Sequence, residues 1–249
     1  GWVKACFAHS SMQDVRVALN TFNPCYFKAI ELMTEEAAKR EYWELVGRIL
    51  NLFHDDLANL DEAFRIKASY WGLKALGQES ASTWLEMLQE ARTGKFVNYN
   101  GGIVSMCYAA KALGWIEPHR DMSAITSELT DAVVSKRNDV RNSYAISLPI
   151  LAATMIGRIE RMLQKGDPSA AADLIPAQDI EHVMVEVWTG RQSIDFMDSW
   201  SVMLELSFEL MELCHQVGSE HADMILKLCT SEAEKYPVDQ RMEAIWNVL

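Results

Sequence analysis

The stretch "GGIVSMCYAAKALGW", residues 101–115, contains a word, "KALG" at 111–114, that has already occurred once. The first copy, at 74–77, closes "FRIKASYWGLKALG", and the two lie 37 residues apart. A four-residue match in a chain rich in helix formers is weak by itself, so its weight depends on what surrounds it. Both copies close an apolar run of helical character. In each, Ala and Leu are expected to pack inward and Gly to end the helix, with Trp115 covering the link that leads to Pro118.

Helical periodicity recurs along most of the chain. In "EYWELVGRILNLF", Tyr42, Leu45, Val46, Ile49, Leu50 and Phe53 follow the spacing of one broad helix face. "STWLEMLQEAR" repeats it with Trp84, Leu85, Leu88 and Ala91, and Ser82 or Thr83 is placed to cap it. "IEHVMVEVW" does so with Ile180, Val183, Met184, Val187 and Trp188. No segment sustains a period of two. The breaks are short: Gly77, "TGK" at 93–95, "GW" at 114–115, "KGDPS" at 165–169 and "TGR" at 189–191. Short links between helices demand antiparallel neighbours.

These signals arrange themselves in pairs. Helix 82–92 precedes the helix ending in the second "KALG", and a helix near 122–134 precedes "NSYAISLPILAATMIGRIERML", with "ATMIG" at 153–157 in the place of "KALG". "AQDIEHVMVEVW" and "DSWSVMLELSFELMELCHQVG" form a later pair. The expected fold is all-α, an α-solenoid of antiparallel helical hairpins with degenerate repeats of about 37–45 residues. No linker is long or polar enough to separate domains, so residues 1–249 are read as a single helical-repeat domain.

Composition agrees with this reading. Hydrophobic residues make up 49%, enough for a core, while 6 prolines and 12 glycines are few for a turn-rich sheet. Cys6, Cys25, Cys107, Cys214 and Cys229 form no CxxC pair and read as reduced core residues. No uncharged apolar run is long enough for a transmembrane helix. The chain begins at Gly1, as a processed organellar product or a piece of a longer chain would. Charge is unevenly spread: residues 178–249 carry 14 acidic and 4 basic side chains, against 21 and 19 in residues 1–177. The near-neutral part supplies the repeats. The acidic part opposes phosphate contacts and suits a basic protein partner.

The pattern "FVNYNGGIVSMCYAAKALGWIEP" resembles the second helix of organellar helical-hairpin repeats, the octotricopeptide, heptatricopeptide and FAST-kinase-like families. In those a polar start precedes an apolar helix ending in an A-x-L-G-like signal. The likeness covers residues 55–157. It implies an α-solenoid of the mitochondrial matrix or of plastids, working in RNA processing or in ribosome structure. The chain departs from those families in its acidity and in lacking the RAP-type domain often attached to them.

Several motifs invite chemistry. "FHDDLANLDEAF" places Asp55 and Asp56 together, which resembles the Mg²⁺–diphosphate motif of terpene synthases, and "NDVRNSY" at 138–144 resembles that family's second motif. Asn142 and Ile146 break the second motif, and 83 residues between Asp55 and Asn138 is short for that fold. The plainer reading is that Asp55 or Asp56 caps the helix that follows. Glu212 and His215 have the Glu-x-x-His spacing of di-iron bundles without a second pair. "YNGGI" at 99–103 reads as a loop before a helix.

The expected function is therefore non-catalytic and needs no cofactor. The chain reads as a helical-repeat scaffold within a mitochondrial assembly, the mitoribosome or another RNA–protein complex. An accessory subunit of a respiratory-chain complex is the alternative. Lys111, Lys136, Arg137, Arg141, Arg158 and Arg161 are the RNA-contact candidates. Glu205, Glu209, Glu212, Trp246 and Leu249 are the protein-docking candidates, the last two from "RMEAIWNVL" with little chain left to cover it. A Mg²⁺-dependent isoprenoid enzyme is the rival from another class. It predicts diphosphate release from a prenyl substrate that Asp55→Ala abolishes; a chain that releases none excludes it.

Overall fold

A computed structural model of the chain describes residues 26–54, 60–94, 102–135, 144–167, 170 and 197–217. Among the described residues the regular structure is helical and there is no strand. The chain divides into two compact units, residues 1–90 and 91–249, and each is described by itself. The division falls within the helix Met87–Arg92, far from residue 177 where the charge balance changes.

The first unit contains α1 (Tyr26–Lys39), α2 (Trp43–Phe53), α3 (Glu62–Leu76) and the single turn α4 (Ser82–Leu85). Helix α2 packs on both α1 and α3. Its face Val46, Ile49, Leu50 and Phe53 is fully buried, as its spacing predicts, while Tyr42 stays exposed as the N-cap. Each of those large side chains contributes roughly 1.5–3 kcal/mol by leaving water. From α3, Ile66, Tyr70, Trp71 and Leu73 close the same core.

Two helix starts differ from expectation. The cap of α3 is Asp61, not Asp55 or Asp56, which lie outside the described residues. Its carboxylate accepts the Ala63 and Phe64 N–H groups at 2.9 and 3.3 Å. Its own N–H donates to Glu31 Oε1 at 2.8 Å, so a buried carboxylate of α1 fixes where α3 begins. The cap of α4 is Ala81, with no side-chain cap bond, and Ser82 is the first helical residue. Ala81 has no polar side chain to offer as a cap, and it is fully buried beside Gly72.

The second unit contains the end of α5 (Met87–Arg92), then α6 (Gly102–Ile116), α7 (Met122–Val134), α8 (Tyr144–Gln164) and α9 (Met197–Gln216). Helix α8 is central and packs on α6, α7 and α9. Ile150, Ala152, Ala153, Thr154, Met155 and Ile156 are fully buried, so more than a whole turn is enclosed on every side. Thr154 lies in that stretch without an orphan hydroxyl, because its Oγ1 donates to the Ile150 carbonyl at 2.8 Å.

The repeated word does two different jobs. Gly77, after α3, ends its helix as expected: φ is +79°, and its N–H donates to the Leu73 carbonyl at 3.1 Å. Gly114 does not end α6, which continues to Ile116. A Cβ on Gly114 would lie 3.1 Å from the Thr154 carbonyl carbon and closer still to its oxygen. A Cβ on Gly157 would lie 2.8 Å from the Lys111 carbonyl carbon and closer still to its oxygen. Residues 111 and 114 thus face 157 and 154 in reverse order, an antiparallel crossing in which "KALG" and "TMIG" lie word against word. Ala112 and Leu113 are fully buried and Trp115 nearly so.

Adding a methyl at either glycine forces two backbones apart. Gly114→Ala and Gly157→Ala are each expected to destabilise by more than about 3 kcal/mol, or to prevent folding, despite Ala's better helix propensity. Gly72→Ala meets only side-chain contacts at 3.4 and 3.7 Å and should change stability by less than about 1 kcal/mol. Urea midpoints of the three variants check this ranking.

Candidate functional site

Of the described residues expected to meet partners, Lys111 and Arg158 are buried, Arg161 and Glu209 half-buried, and Glu205 and Glu212 exposed. Lys111 lies at the α6–α8 crossing, where it is buried. Its Nζ pairs with Glu209 Oε2 of α9 at 2.5 Å and sits 5.5 Å above the Tyr108 ring. Burial works against the ammonium charge, yet the Glu209 carboxylate, with Tyr108 and Glu160 nearby, holds its pKa above the ordinary lysine value. Lys111, an RNA-contact candidate, and Glu209, a protein-docking candidate, pair with each other across α6 and α9. The cause is geometric: close approach of α6 and α8 draws Lys111 inward, and a buried cation needs a carboxylate.

Arg158 is likewise turned inward. It follows Gly157, is 4% exposed, and its Nη2 donates to the Arg120 carbonyl at the end of the α6–α7 connection. Desolvation lowers its pKa, partly opposed by Asp121, though a guanidinium keeps its proton. Arg161 is half-buried, with its guanidinium 5.7 Å over the Trp115 ring and its Nη1 donating to Gln164. Lys136, Arg137, Arg141, Trp246 and Leu249 lie outside the described residues. On α9, Glu205 and Glu212 are exposed on the same side as Glu209. His215 is exposed and Cys214 buried.

The same unit holds an ion-pair network that the sequence reading missed. Arg92 pairs with Glu117 at 2.5 Å and Glu128 at 3.5 Å, and Arg120 with Glu117 at 2.9 Å and Glu128 at 2.6 Å. Two carboxylates shared by two arginines tie α5, the α6–α7 connection and α7 together. Hydrogen bonds to Glu128 and Glu117 raise the Arg120 pKa. The Glu117–Arg120 spacing was a local signal; the reach to Arg92 had none. Next to this network Asp121 caps α7, accepting from the Ser123 hydroxyl and N–H, which lowers its pKa.

Cys107 and Cys214 are free and buried. Burial pushes the Cys107 thiol up to about 12, with Lys111 pulling it down and Glu209 pushing it further up. Burial alone raises Cys214 to about 11. Neither is a nucleophile at neutral pH. Among the described residues no group of three His, Cys, Asp or Glu is placed to hold a metal ion. Among them, too, no helix is long and apolar enough to cross a membrane. No protein-family model, curated protein or solved structure matches the chain.

Two outcomes follow from the buried charges and thiols. Glu209→Leu removes the carboxylate that Lys111 pairs with and should destabilise the protein by about 2 kcal/mol, less than for a fully buried pair because Glu209 is partly solvated. Between the ordinary thiol value and about 12 the unfolded chain ionises Cys107 while the folded chain does not. Stability should therefore fall as pH rises through that window, by up to about 1.4 kcal/mol per pH unit. Cys107→Ala should flatten that slope in urea titrations from pH 9 upward.

Proposed function

We propose that the chain is a non-catalytic α-solenoid, a structural subunit that braces a larger assembly. The observation that supports this reading is that, among the described residues, helix packs on helix with no strand, and "KALG" meets its counterpart "TMIG" at the α6–α8 crossing. The two words meet antiparallel, so they join neighbouring hairpins face to face and not by simple translation. The charged contacts support the same reading. Lys111, Arg158 and the Arg92–Glu117–Arg120–Glu128 network all link helices to one another.

On this reading the partners meet what those internal contacts leave outside. Glu205 and Glu212, on the outer side of α9 in the acidic last third, suit a basic protein surface. Arg161, and the basic residues Lys136, Arg137 and Arg141, are the positions for any RNA phosphate. A mitochondrial RNA–protein assembly, the mitoribosome first, follows from the resemblance to organellar helical-hairpin repeats and rests on that resemblance.

Glu205→Gln with Glu212→Gln is the direct test, because it leaves the Lys111–Glu209 pair intact. The endogenous protein, purified in mild detergent, should bring ribosomal proteins with it. The double variant should lose them at lower salt than the native chain. Respiratory subunits in their place would favour the alternative assembly, and partner retention unaffected by the variant would remove the acidic dock.

A further inference from the structure

The α6–α7 connection contributes little apolar burial to its own attachment. None of residues 117–121 is buried, although Trp115 before them and Met122 after them are only 3% and 8% exposed. Charge does the holding. Arg92 and Arg120 share Glu117 and Glu128 at 2.5–3.5 Å, and these four side chains are 22–33% exposed. Mobile ions therefore reach the network and screen it, while the apolar core beneath is untouched by salt of that kind.

Against this connection lies the Arg158 guanidinium of α8, whose Nη2 donates to the Arg120 carbonyl. Arg158 is 4% exposed, and its Nε is buried with no hydrogen-bond partner. Among the described residues it forms no ion pair, whereas buried Lys111 has Glu209. Asp121 acts on it electrostatically, but the Asp121 oxygens are taken by the Ser123 N–H and hydroxyl. A guanidinium withdrawn from water without a carboxylate is costly, and its planar fork of N–H donors matches an oxyanion. We propose that residues 117–121 form an ionically latched strap over Arg158, and that release of the latch presents Arg158 to a phosphate-type oxyanion. The α6–α8 crossing at Gly114 and Gly157 stays closed meanwhile. The strap does not depend on the scaffold reading. It returns one RNA-contact candidate to phosphate chemistry, in the open state alone.

Arginine modification by phenylglyoxal, mapped by peptide mass spectrometry on the whole chain, tests this. Exposed Arg48 serves as the reference and labelling of the buried Cys107 thiol monitors α6. Raising sodium chloride from about 0.1 to 1 M should speed Arg158 modification at least about tenfold relative to Arg48, with Cys107 still protected. Arg92→Gln with Arg120→Gln should do the same at low salt. Inorganic phosphate, replacing chloride at equal ionic strength, should then slow Arg158 at least about threefold and leave Arg48 unchanged. Arg158 as slow in high salt, or in the double variant, as in the native chain at low salt would overturn the strap. Arg158 and Cys107 opening together would also overturn it, because the whole unit would then be unfolding. Phosphate that slows Arg158 no more than Arg48 would overturn the oxyanion site.

Discussion

The contact on which the second unit depends is made by two peptide backbones with nothing between them. Where α6 crosses α8, Gly114 faces the Thr154 carbonyl and Gly157 faces the Lys111 carbonyl. Missing side chains let the axes approach closely, which raises the density of small dispersion contacts around Ala110, Ala112, Ala153 and Met155. The same approach sets the surroundings of the residues beside each glycine. Lys111 is carried to α9, and Arg158 to the end of the α6–α7 connection. A crossing chosen by two hydrogen atoms therefore decides which charges enter the core.

Once inside, Lys111 finds Glu209 and Arg158 finds the Arg120 carbonyl, while Arg92 and Arg120, partly exposed, share Glu117 and Glu128. In the first unit Glu31 is buried and accepts from both Lys28 and the Asp61 N–H, while Lys67 reaches Glu35. Lys74 lies 4.7 Å over the Trp43 ring, a partner without formal charge. These contacts give direction to a core whose apolar faces are broad, since hydrophobic burial fixes composition more firmly than orientation.

The helices were legible in the sequence because their signal is local. The faces of α2 and of 82–92 repeat every three to four residues, a rule that needs no tertiary knowledge, although the structure breaks 82–92 at Glu86 into two short helices. The division near residue 90 left no mark, because it falls inside a helix and not in a linker. What went unread was non-local. Gly114 looks like a helix end until Thr154 is known to lie against it, whereas Gly77, spelled the same way, does end its helix. Lys111 and Arg158 looked like surface cations because a one-dimensional string gives a charged residue no depth. Asp61 was passed over as a cap because Asp55 and Asp56 offered the same chemistry earlier, and the deciding group, Glu31, is 30 residues away.

That last contact bears on the order in which the first unit assembles. The start of α3 is held from two sides, by the Asp61 carboxylate on its own first turn and by the Glu31 carboxylate on α1. The first bond forms within a few residues and is available to an isolated segment. The second exists only when α1 is helical and already lies alongside. α3 can nucleate early at several neighbouring residues, with its first residue settled only at docking. Glu31 thus makes the phase of one helix a report on the arrival of another.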